Sequence, residues 1–175
     1  MEITTEMIKD LREQTSCGVI ECKKALDASG GDFQKAKEIL RLRGLEIAAK
    51  KGSREAHQGR IEAYIHQGSK IGVLVEVNCE TDFVAQNEDF ARLTKNVAMH
   101  IAAMNPKFLK REDVPANVLA VQENQEQFIK ESCLLEQPFI KDPSKTIQDL
   151  VTGLIATIGE NIFISRFVRF KVNES

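Results

Sequence analysis

The sequence predicts an α+β fold, in which a small helical unit precedes a larger core of strands and helices. Three observations support this prediction. Apolar residues recur at helical spacing near the N-terminus, they alternate with polar residues over 60–79, and a long amphipathic stretch begins at Asn87. We therefore divide the chain into a three-helix domain (1–50), a polar linker (51–59) and a core domain (60–175).

The N-terminal domain contains residues that typically start and stop short helices. Thr4 can cap a first helix with its hydroxyl, the pair Gly30-Gly31 ends a second, and Asp32 can cap a third. Gly44 is a possible end of the third helix, although 45–51 could extend it. A unit of this size has a thin core, which favours a docking module over a container for chemistry.

The core domain begins with a predicted antiparallel hairpin. The first strand alternates over 61–66, and the second, at 71–79, places three valines on one face. A helix capped by Asn87 and stopped at Pro106 carries an apolar stripe at helical spacing. That stripe is expected to cover the valine face.

The rest of the core is predicted as a helix over 116–135, loops around Pro138 and Pro143, a helix over 146–158 and a strand over 161–172. The helix over 116–135 is largely polar and is expected on the surface. The final strand completes a three-stranded antiparallel sheet that helices cover on one face.

The final strand carries large apolar residues in both phases, because Phe163 and Phe167 oppose the phase of Ile164. If helices cover only one face of the sheet, phenylalanines on the other face would be exposed to water, which is unfavourable. The second face is expected to hold Tyr64, Leu74, Phe163 and Phe167. An exposed apolar face usually marks an interface, and a two-fold homodimer is the simplest way to cover it.

Charge and cysteine content argue against several classes of function. The chain has 175 residues and a formal net charge of −2, which disfavours a general affinity for nucleic-acid backbones. Its four cysteines form no Cys-x-x-Cys pair, its start is acidic and polar, and no apolar stretch approaches a membrane span. We expect a cytoplasmic protein with reduced thiols and with neither a membrane nor a nucleic acid as partner.

Groups that could support catalysis are scarce. Cys79, His66 and Asp82 could be grouped at one end of the hairpin as a thiol enzyme, but Cys79 shares its face with the valines and is expected to be buried and inert. The histidines and cysteines lack metal-ligand spacing, and the glycines match no phosphate-binding loop. Binding is therefore favoured over catalysis, with no cofactor, metal or nucleotide held by this chain.

One residue pair at the end of the second strand is unusual. Asp82 and Phe83 lie between that strand and the Asn87 cap. Large apolar residues are mostly buried, so a return of Phe83 and Val84 into the core is the commoner arrangement. An outward-pointing Phe83 would instead indicate a partner, and spacing alone leaves both alternatives open.

Four stretches together resemble the bacterial elongation factor Ts family. L-R-E-Q-T-S-C-G-V-I-E-C-K-K-A-L (11–26) resembles its N-terminal signature, and V-E-V-N-C-E-T-D-F-V-A (75–85) resembles its second signature. Y-I-H-Q-G-S-K-I-G-V-L-V (64–75) and Q-P-F-I-K-D-P-S-K-T-I (137–147) are similar to blocks of its core. The stretches occur in the family's order, and the similarity covers nearly the whole chain.

The resemblance implies a guanine-nucleotide exchange factor for the GTPase elongation factor Tu, rather than an enzyme. It implies a ubiquitin-associated-like three-helix domain that docks on the GTPase. The docking residues are expected to be Cys17, Gly18, Val19, Ile20 and Lys23. The segment associated with displacing the GTPase's Mg²⁺ is matched by Thr81, Asp82, Phe83 and Val84, and His66 resembles a further contact from the core.

The chain departs from the family pattern in two ways. Ser16 and Cys17 stand where the family usually has small Gly/Ala-type residues. Many members also contain two core subdomains, whereas this chain has one, which implies a short form completed by homodimerisation. An adaptor that docks and dimerises without exchange activity is the alternative, and the Asp82-Phe83 pair disfavours it because an adaptor would not need that pair.

Overall fold

The computed structural model of the protein describes residues 3–15 and 17–174. Outside the described residues lie Met1, Glu2, Ser16 and Ser175, so the Ser16 position of the predicted helix break is among them. The helices and strands, in chain order, are α1 (Thr5–Thr15), α2 (Val19–Ser29), α3 (Phe33–Lys51), β1 (Gln58–Ile65), β2 (Ile71–Cys79), α4 (Asp82–Ala85), α5 (Glu88–Met104), α6 (Ala116–Ala120), α7 (Gln125–Ser132), β3 (Pro138–Phe139), β4 (Asp142–Thr146), α8 (Ile147–Ile158) and β5 (Phe163–Lys171). Short 3₁₀ turns lie at Arg111–Asp113 and Leu134–Glu136.

The chain divides into two compact units. The first comprises the chain up to Glu55 together with Thr152–Asn161, and the second comprises Ala56–Val151 together with the chain from Ile162 onward. The first unit therefore includes the C-terminal half of α8. In the described part of the chain, no helix is both long enough and apolar enough to span a membrane.

The ends of the first three helices are set by local hydrogen bonds, as predicted. Thr4 Oγ1 accepts from the Met7 backbone N–H at 3.3 Å. Asp32 Oδ1 accepts from the first-turn N–H groups of α3 at 2.9 and 3.1 Å. Gly30 ends α2 in the left-handed conformation, with φ of 64°. The core of this unit is formed by Leu11, Cys22, Ala25, Leu26, Ala36 and Leu40.

Helix α3 does not end at Gly44 but continues to Lys51, so the extension is the alternative that forms. Gly44 is buried, and a Cβ placed on it would lie 3.4 Å from Thr152 Cγ2 and 3.7 Å from Ala156 Cβ. The glycine therefore allows the C-terminal half of α8 to pack closely on α3 within the first unit. Close packing, rather than helix termination, explains a glycine at this position.

The second unit is built on an antiparallel sheet with strand order β1-β2-β5. Helix α5 covers one face, and the three β2 valines beneath it, Val73, Val75 and Val77, are at most 2% exposed. Asn87 and Asn105 bound α5, because the Asn87 side chain accepts from Asp89 N–H and Asn105 adopts the left-handed conformation. The predicted α+β class and the three-stranded sheet covered on one face are confirmed.

A β-bulge in β5 changes which side chains face outward. Val77 pairs with Ile164 and Glu76 pairs with Arg166, so Ser165 is an extra residue on β5. Alternation is therefore reversed beyond Ser165. Ile164 lies with the valines, whereas the later residues of β5 take the opposite phase from the one predicted.

The bulge and the hairpin register correct part of the predicted second face. Tyr64 pairs with Val73, and Phe167 pairs with Val75, so both rings lie on the helix-covered face and their predicted position is wrong. Leu74 and Phe163 do lie on the open face, where they are 47% and 40% exposed. The exposed apolar side chains of this face, which we call the open sheet face, are Ile61, Ile65, Leu74, Phe163, Val168 and Phe170.

The segment predicted as one surface helix over 116–135 is instead two short helices and a 3₁₀ turn. Asn124 starts α7, because its side chain accepts from the Gln127 N–H at 3.0 Å. Cys133 and Leu134 are fully buried, so the end of the segment belongs to the core. The predicted loop that follows contains the small β3–β4 hairpin.

His100 is a fully buried histidine on α5. The Ile140 backbone N–H donates to its Nδ1 at 3.3 Å, so the proton lies on Nε2, which donates to Gln137 Oε1 at 2.9 Å. Burial lowers the pKa of His100 below its ordinary value, although the hydrogen bond with Gln137 acts in the opposite direction. The fold therefore uses the neutral imidazole.

Acidification is expected to destabilise the protein through His100. Because the folded pKa is lowered, the unfolded chain binds more protons at pH values below about 6.5, so the free energy of unfolding falls as the pH drops through that region. Urea unfolding between pH 7.5 and 5 measures this slope, which is limited to about 1.4 kcal/mol per pH unit for one group. His100→Gln should flatten the profile, and equal slopes for the variant and the wild type would contradict the assignment.

Candidate partner-binding site

The Thr81–Val84 segment forms a single helical turn at the end of β2. Thr81 Oγ1 caps α4 by accepting from the Val84 N–H at 3.4 Å, and Cys79 Sγ donates to the Thr81 carbonyl oxygen at 3.1 Å. The Asn87 cap of α5 follows directly. Helix α4 also contacts β1, β2 and α5. The short turn is therefore held by the Thr81 cap, by the sheet and by the helix that follows it.

Phe83 projects from this turn into solvent. Its side chain is 83% exposed, a larger exposed fraction than that of any other large apolar residue among the described residues. Thr81, Val84 and Ala85 are partly buried, because positions three and four apart share the inner side of a helical turn, and Phe83 falls on the outer side. The alternative in which Phe83 returns to the core is therefore wrong.

Leaving a phenylalanine in water gives up about 1.5–3 kcal/mol of burial energy. The Thr81 cap and the contacts of α4 with β1, β2 and α5 hold the turn without help from the exposed ring. Asp82 is also exposed, and among the described residues no hydrogen bond or ion pair to its carboxylate is formed. The turn thus presents an unpaired carboxylate beside an unburied aromatic ring, a combination suited to contact with another macromolecule.

His66 lies at the other end of the hairpin. It is exposed in the turn after β1, where its Nδ1 lies 3.1 Å from the Tyr64 hydroxyl. Cys79 pairs with Gln58 at the open end of the hairpin, so roughly 24 Å of strand separates it from the turn. The grouping of Cys79, His66 and Asp82 for thiol chemistry is therefore wrong, and Cys79 is fully buried as predicted.

The predicted docking residues lie together at the start of α2, in the first unit. Gly18 is the N-cap in an extended conformation, and Val19 and Ile20 in the first turn are 54% and 68% exposed. Cys17 is half-buried, and Lys23 is exposed one turn later. We call Cys17–Ile20 with Lys23 the docking patch.

The charges around the docking patch are not equivalent. Glu21 pairs with Arg43 at 2.7 Å and with Lys24 at 3.5 Å. Lys23 has no ion pair among the described residues, so its ammonium group is available to a partner. An exposed apolar pair beside a lysine is chemically suited to a partner that offers an apolar contact and a carboxylate.

No constellation for metal chemistry accompanies these surfaces. In residues 3–15 and 17–174, no group of three or more His, Cys, Asp or Glu side chains is placed to hold a metal ion. The surfaces described above consist instead of exposed apolar side chains beside unpaired charged groups. This composition is typical of protein–protein contact surfaces.

Several similar proteins are named elongation factor Ts. The chain is 50% identical to elongation factor Ts of Thermodesulfovibrio yellowstonii, in an alignment that covers 100% of this chain and 98% of that protein. It is 49% identical to elongation factor Ts of Carboxydothermus hydrogenoformans, with 98% and 90% covered, and 51% identical to that of Acetivibrio thermocellus, with 98% and 91% covered.

The family described as Elongation factor TS matches residues 2–126 and 121–174. The two matches meet at the junction of α6 and α7, where the continuous helix expected from the sequence is interrupted. The alignment with the Thermodesulfovibrio protein runs over 197 positions, which exceeds the 175 residues of this chain, so that relative carries residues that this chain lacks. The matched ranges together span nearly the whole sequence, and this chain therefore belongs to the elongation factor Ts family.

Proposed function

We propose that this protein is a guanine-nucleotide exchange factor for the GTPase elongation factor Tu and promotes GDP release by inserting its Thr81–Val84 segment. The observation that carries the proposal is the exposure of Phe83 on a turn that Thr81 caps and that leads directly into the Asn87 cap of α5. Family membership supports the identity of the partner. The segment acts on Mg²⁺ and nucleotide held by the GTPase, and this chain contributes no cofactor, no nucleotide site and no contact with nucleic acid.

Exchange requires a difference in binding energy between two states of the GTPase. A factor that binds the nucleotide-free GTPase more tightly than the GDP-bound form weakens GDP binding by the same ratio. Each tenfold change needs about 1.4 kcal/mol. A phenylalanine that becomes buried only in the nucleotide-free complex supplies roughly 1.5–3 kcal/mol, or about one to two powers of ten.

The residues of the segment divide this work. Phe83 acts as the wedge, and its insertion separates the elements of the GTPase that hold Mg²⁺ and phosphate. Asp82, whose carboxylate has no partner among the described residues, hydrogen-bonds groups that the wedge uncovers. Thr81 and Val84 hold the turn in shape, because Thr81 caps it and Val84 is anchored on its inner side. A preformed turn loses little conformational entropy on binding.

The other predicted contacts provide affinity rather than exchange. The docking patch, in the proposed 1–50 domain, binds the GTPase through Val19, Ile20 and Lys23. His66 contributes a second contact from the hairpin turn of the core. Both groups bind the GTPase in the presence or absence of nucleotide, so they bring the wedge to its target.

The release of fluorescent GDP from elongation factor Tu tests this proposal. The loaded GTPase is chased with excess unlabelled nucleotide, and catalytic amounts of this protein are added. We expect the release rate to rise with the concentration of this protein and excess Mg²⁺ to oppose the rise. Binding without faster release would establish the adaptor instead, and no binding would exclude both functions.

We further propose that the protein is a homodimer joined through the open sheet face. Six large apolar side chains lie exposed on this face, with the Glu76–Arg166 ion pair of 2.7 Å among them. A two-fold axis through such a face buries the same side chains from both copies. Tyr64 and Phe167, which the sequence also suggested for the interface, lie on the other side of the sheet and take no part.

Leu74→Asp should convert the dimer into a monomer at micromolar concentration. Leu74 lies on the central strand of the open sheet face, between Ala63 and Val168, so a carboxylate there is desolvated in the dimer. Sedimentation velocity measures the change in mass. Val121→Asp is the control, because Val121 is 76% exposed and lies outside the sheet. A wild-type protein that sediments as a monomer would contradict the interface.

A further inference from the structure

Two cysteines occupy paired positions at the start of α2. Gly18 is the N-cap, so Cys17 stands immediately before the cap and Cys22 is the fourth residue of the helix. Side chains at these two positions pack on each other in the hydrophobic staple that fixes the entry of a chain into a helix. Cys17 indeed packs against the core cluster that contains Cys22. When both residues of the staple are cysteines, their sulfurs can be joined by a disulfide bond.

The two sulfurs share one neighbour. Cys22 Sγ lies 3.8 Å from the Cys17 carbonyl oxygen and 3.8 Å from Thr15 Oγ1. Cys17 Sγ lies 3.7 Å from the Thr15 carbonyl oxygen. Each of these contacts is a weak sulfur hydrogen bond, so little energy opposes a rotation of the Cys17 side chain towards Cys22.

We propose that Cys17 and Cys22 form a reversible disulfide when a peroxide reaches the docking patch. Cys17 is half-buried and therefore partly accessible, whereas Cys22 is fully buried, with its sulfur against the Cys17 backbone. Accessibility decides which thiol an oxidant meets first, so Cys17 is the attacking thiol and Cys22 the resolving one. The bond closes a ring around Gly18–Glu21, which includes the exposed Val19 and Ile20.

The oxidation proceeds in two balanced steps. Deprotonated Cys17 attacks one oxygen of hydrogen peroxide, the O–O bond breaks, and the leaving hydroxide takes up a proton to become water. Cys17 is then a sulfenic acid. The Cys22 sulfur attacks the Cys17 sulfur, the S–O bond breaks, and the leaving hydroxide takes the Cys22 proton to form a second water. Two thiols lose two electrons, and one peroxide becomes two waters.

The other two cysteines provide internal controls. Cys79 and Cys133 are fully buried in the second unit. Burial raises the pKa of Cys133 as it raises that of Cys22, so the distance to a second cysteine along the chain is what distinguishes the controls. Neither has a second cysteine at staple spacing in the sequence. Limiting peroxide should therefore modify the first pair and spare these two.

Peptide mapping after peroxide treatment tests the proposal on the full-length protein. Trypsin cuts after Arg12 and Lys23, so both cysteines fall in the peptide 13–23, whereas Cys79 and Cys133 fall in other peptides. We expect this peptide to lose about 2 Da, the mass of the two hydrogens removed on disulfide formation, and to regain it with dithiothreitol. Cleavage after Glu21 should leave the two halves joined until reduction.

Two variants separate the pair from general oxidation. Cys17→Ser should abolish the mass loss, and Cys133→Ser should leave it unchanged. Cys22→Ala should leave Cys17 as a sulfenic acid that dimedone traps. Recovery of peptide 13–23 with its full mass, with Cys17 overoxidised, or cross-linked to another peptide would overturn the proposal. The pairing lies wholly within the first unit and holds whether or not the protein is an exchange factor.

Discussion

Phe83→Ala is expected to lower the rate of GDP release from elongation factor Tu by about ten- to a hundredfold, because it removes the roughly 1.5–3 kcal/mol that burial of the ring supplies in the nucleotide-free complex. The stability of the variant itself should change by less than about 0.5 kcal/mol, since the ring is 83% exposed and holds nothing in the fold. Stopped-flow release of fluorescent GDP measures the first effect and urea unfolding the second.

Val121→Ala is the matched control for the wedge. Val121 is also a strongly exposed apolar residue of the second unit, at 76%, but it lies between α6 and α7, away from the α4 turn. Its loss should leave the release rate unchanged. A Phe83→Ala protein that is fully active in exchange would remove the wedge from the mechanism, even if the family function stands.

Gly59→Ala is expected to lower the free energy of unfolding by about 2–3 kcal/mol. A Cβ on Gly59 would lie 2.4 Å from the Val77 carbonyl oxygen and 2.9 Å from Asn78 Cα, which is closer than real Cβ atoms approach. Both obstacles are backbone atoms of the paired strand β2, so relief requires the hairpin to open at this end. Helix α4 rests on the same strands, and exchange activity should therefore fall together with stability.

Gly153→Ala is expected to have the opposite effect on the free energy of unfolding. Gly153 lies inside α8, and no atom lies within 4 Å of a Cβ placed there. Alanine is favoured over glycine in a helix interior by about 0.8–1.0 kcal/mol, so this substitution should be neutral or stabilising. Denaturant melts of the two glycine variants should move in opposite directions. A Gly59→Ala protein as stable as the wild type would mean that β1 and β2 can separate without cost.

The candidate site was partly predictable from sequence. A strand, a turn and the Asn87 cap follow one another in the sequence, and this order placed Asp82 and Phe83 at an edge of the core. The family signature indicated a partner. Helical spacing at the turn did not decide between the core and solvent, because a turn of four residues has too few positions to define an apolar face. The packing of Val84 and Ala85 on the inner side leaves Phe83 outside.

The predicted interface shows how one residue can change a face. In a regular strand Phe167 would share the open face with Phe163, because the two residues are four positions apart. Ser165 adds one residue, and each later side chain changes sides. Val168 and Phe170 consequently replace Phe167 on the open sheet face, and no pattern within β5 alone distinguishes this arrangement from the regular one.

The sequence by itself determined the features that depend on neighbours in the chain. Thr4, Asp32 and Asn87 cap helices through hydrogen bonds to residues two or three positions ahead, so their roles are encoded locally. The tertiary structure alone decided the features that depend on distant partners. These are the continuation of α3 past Gly44, the bulge at Ser165 and the outward direction of Phe83. Each of these features is set by packing against another segment of the chain. Contacts between residues that are far apart in sequence produce no periodic pattern from which they could be predicted.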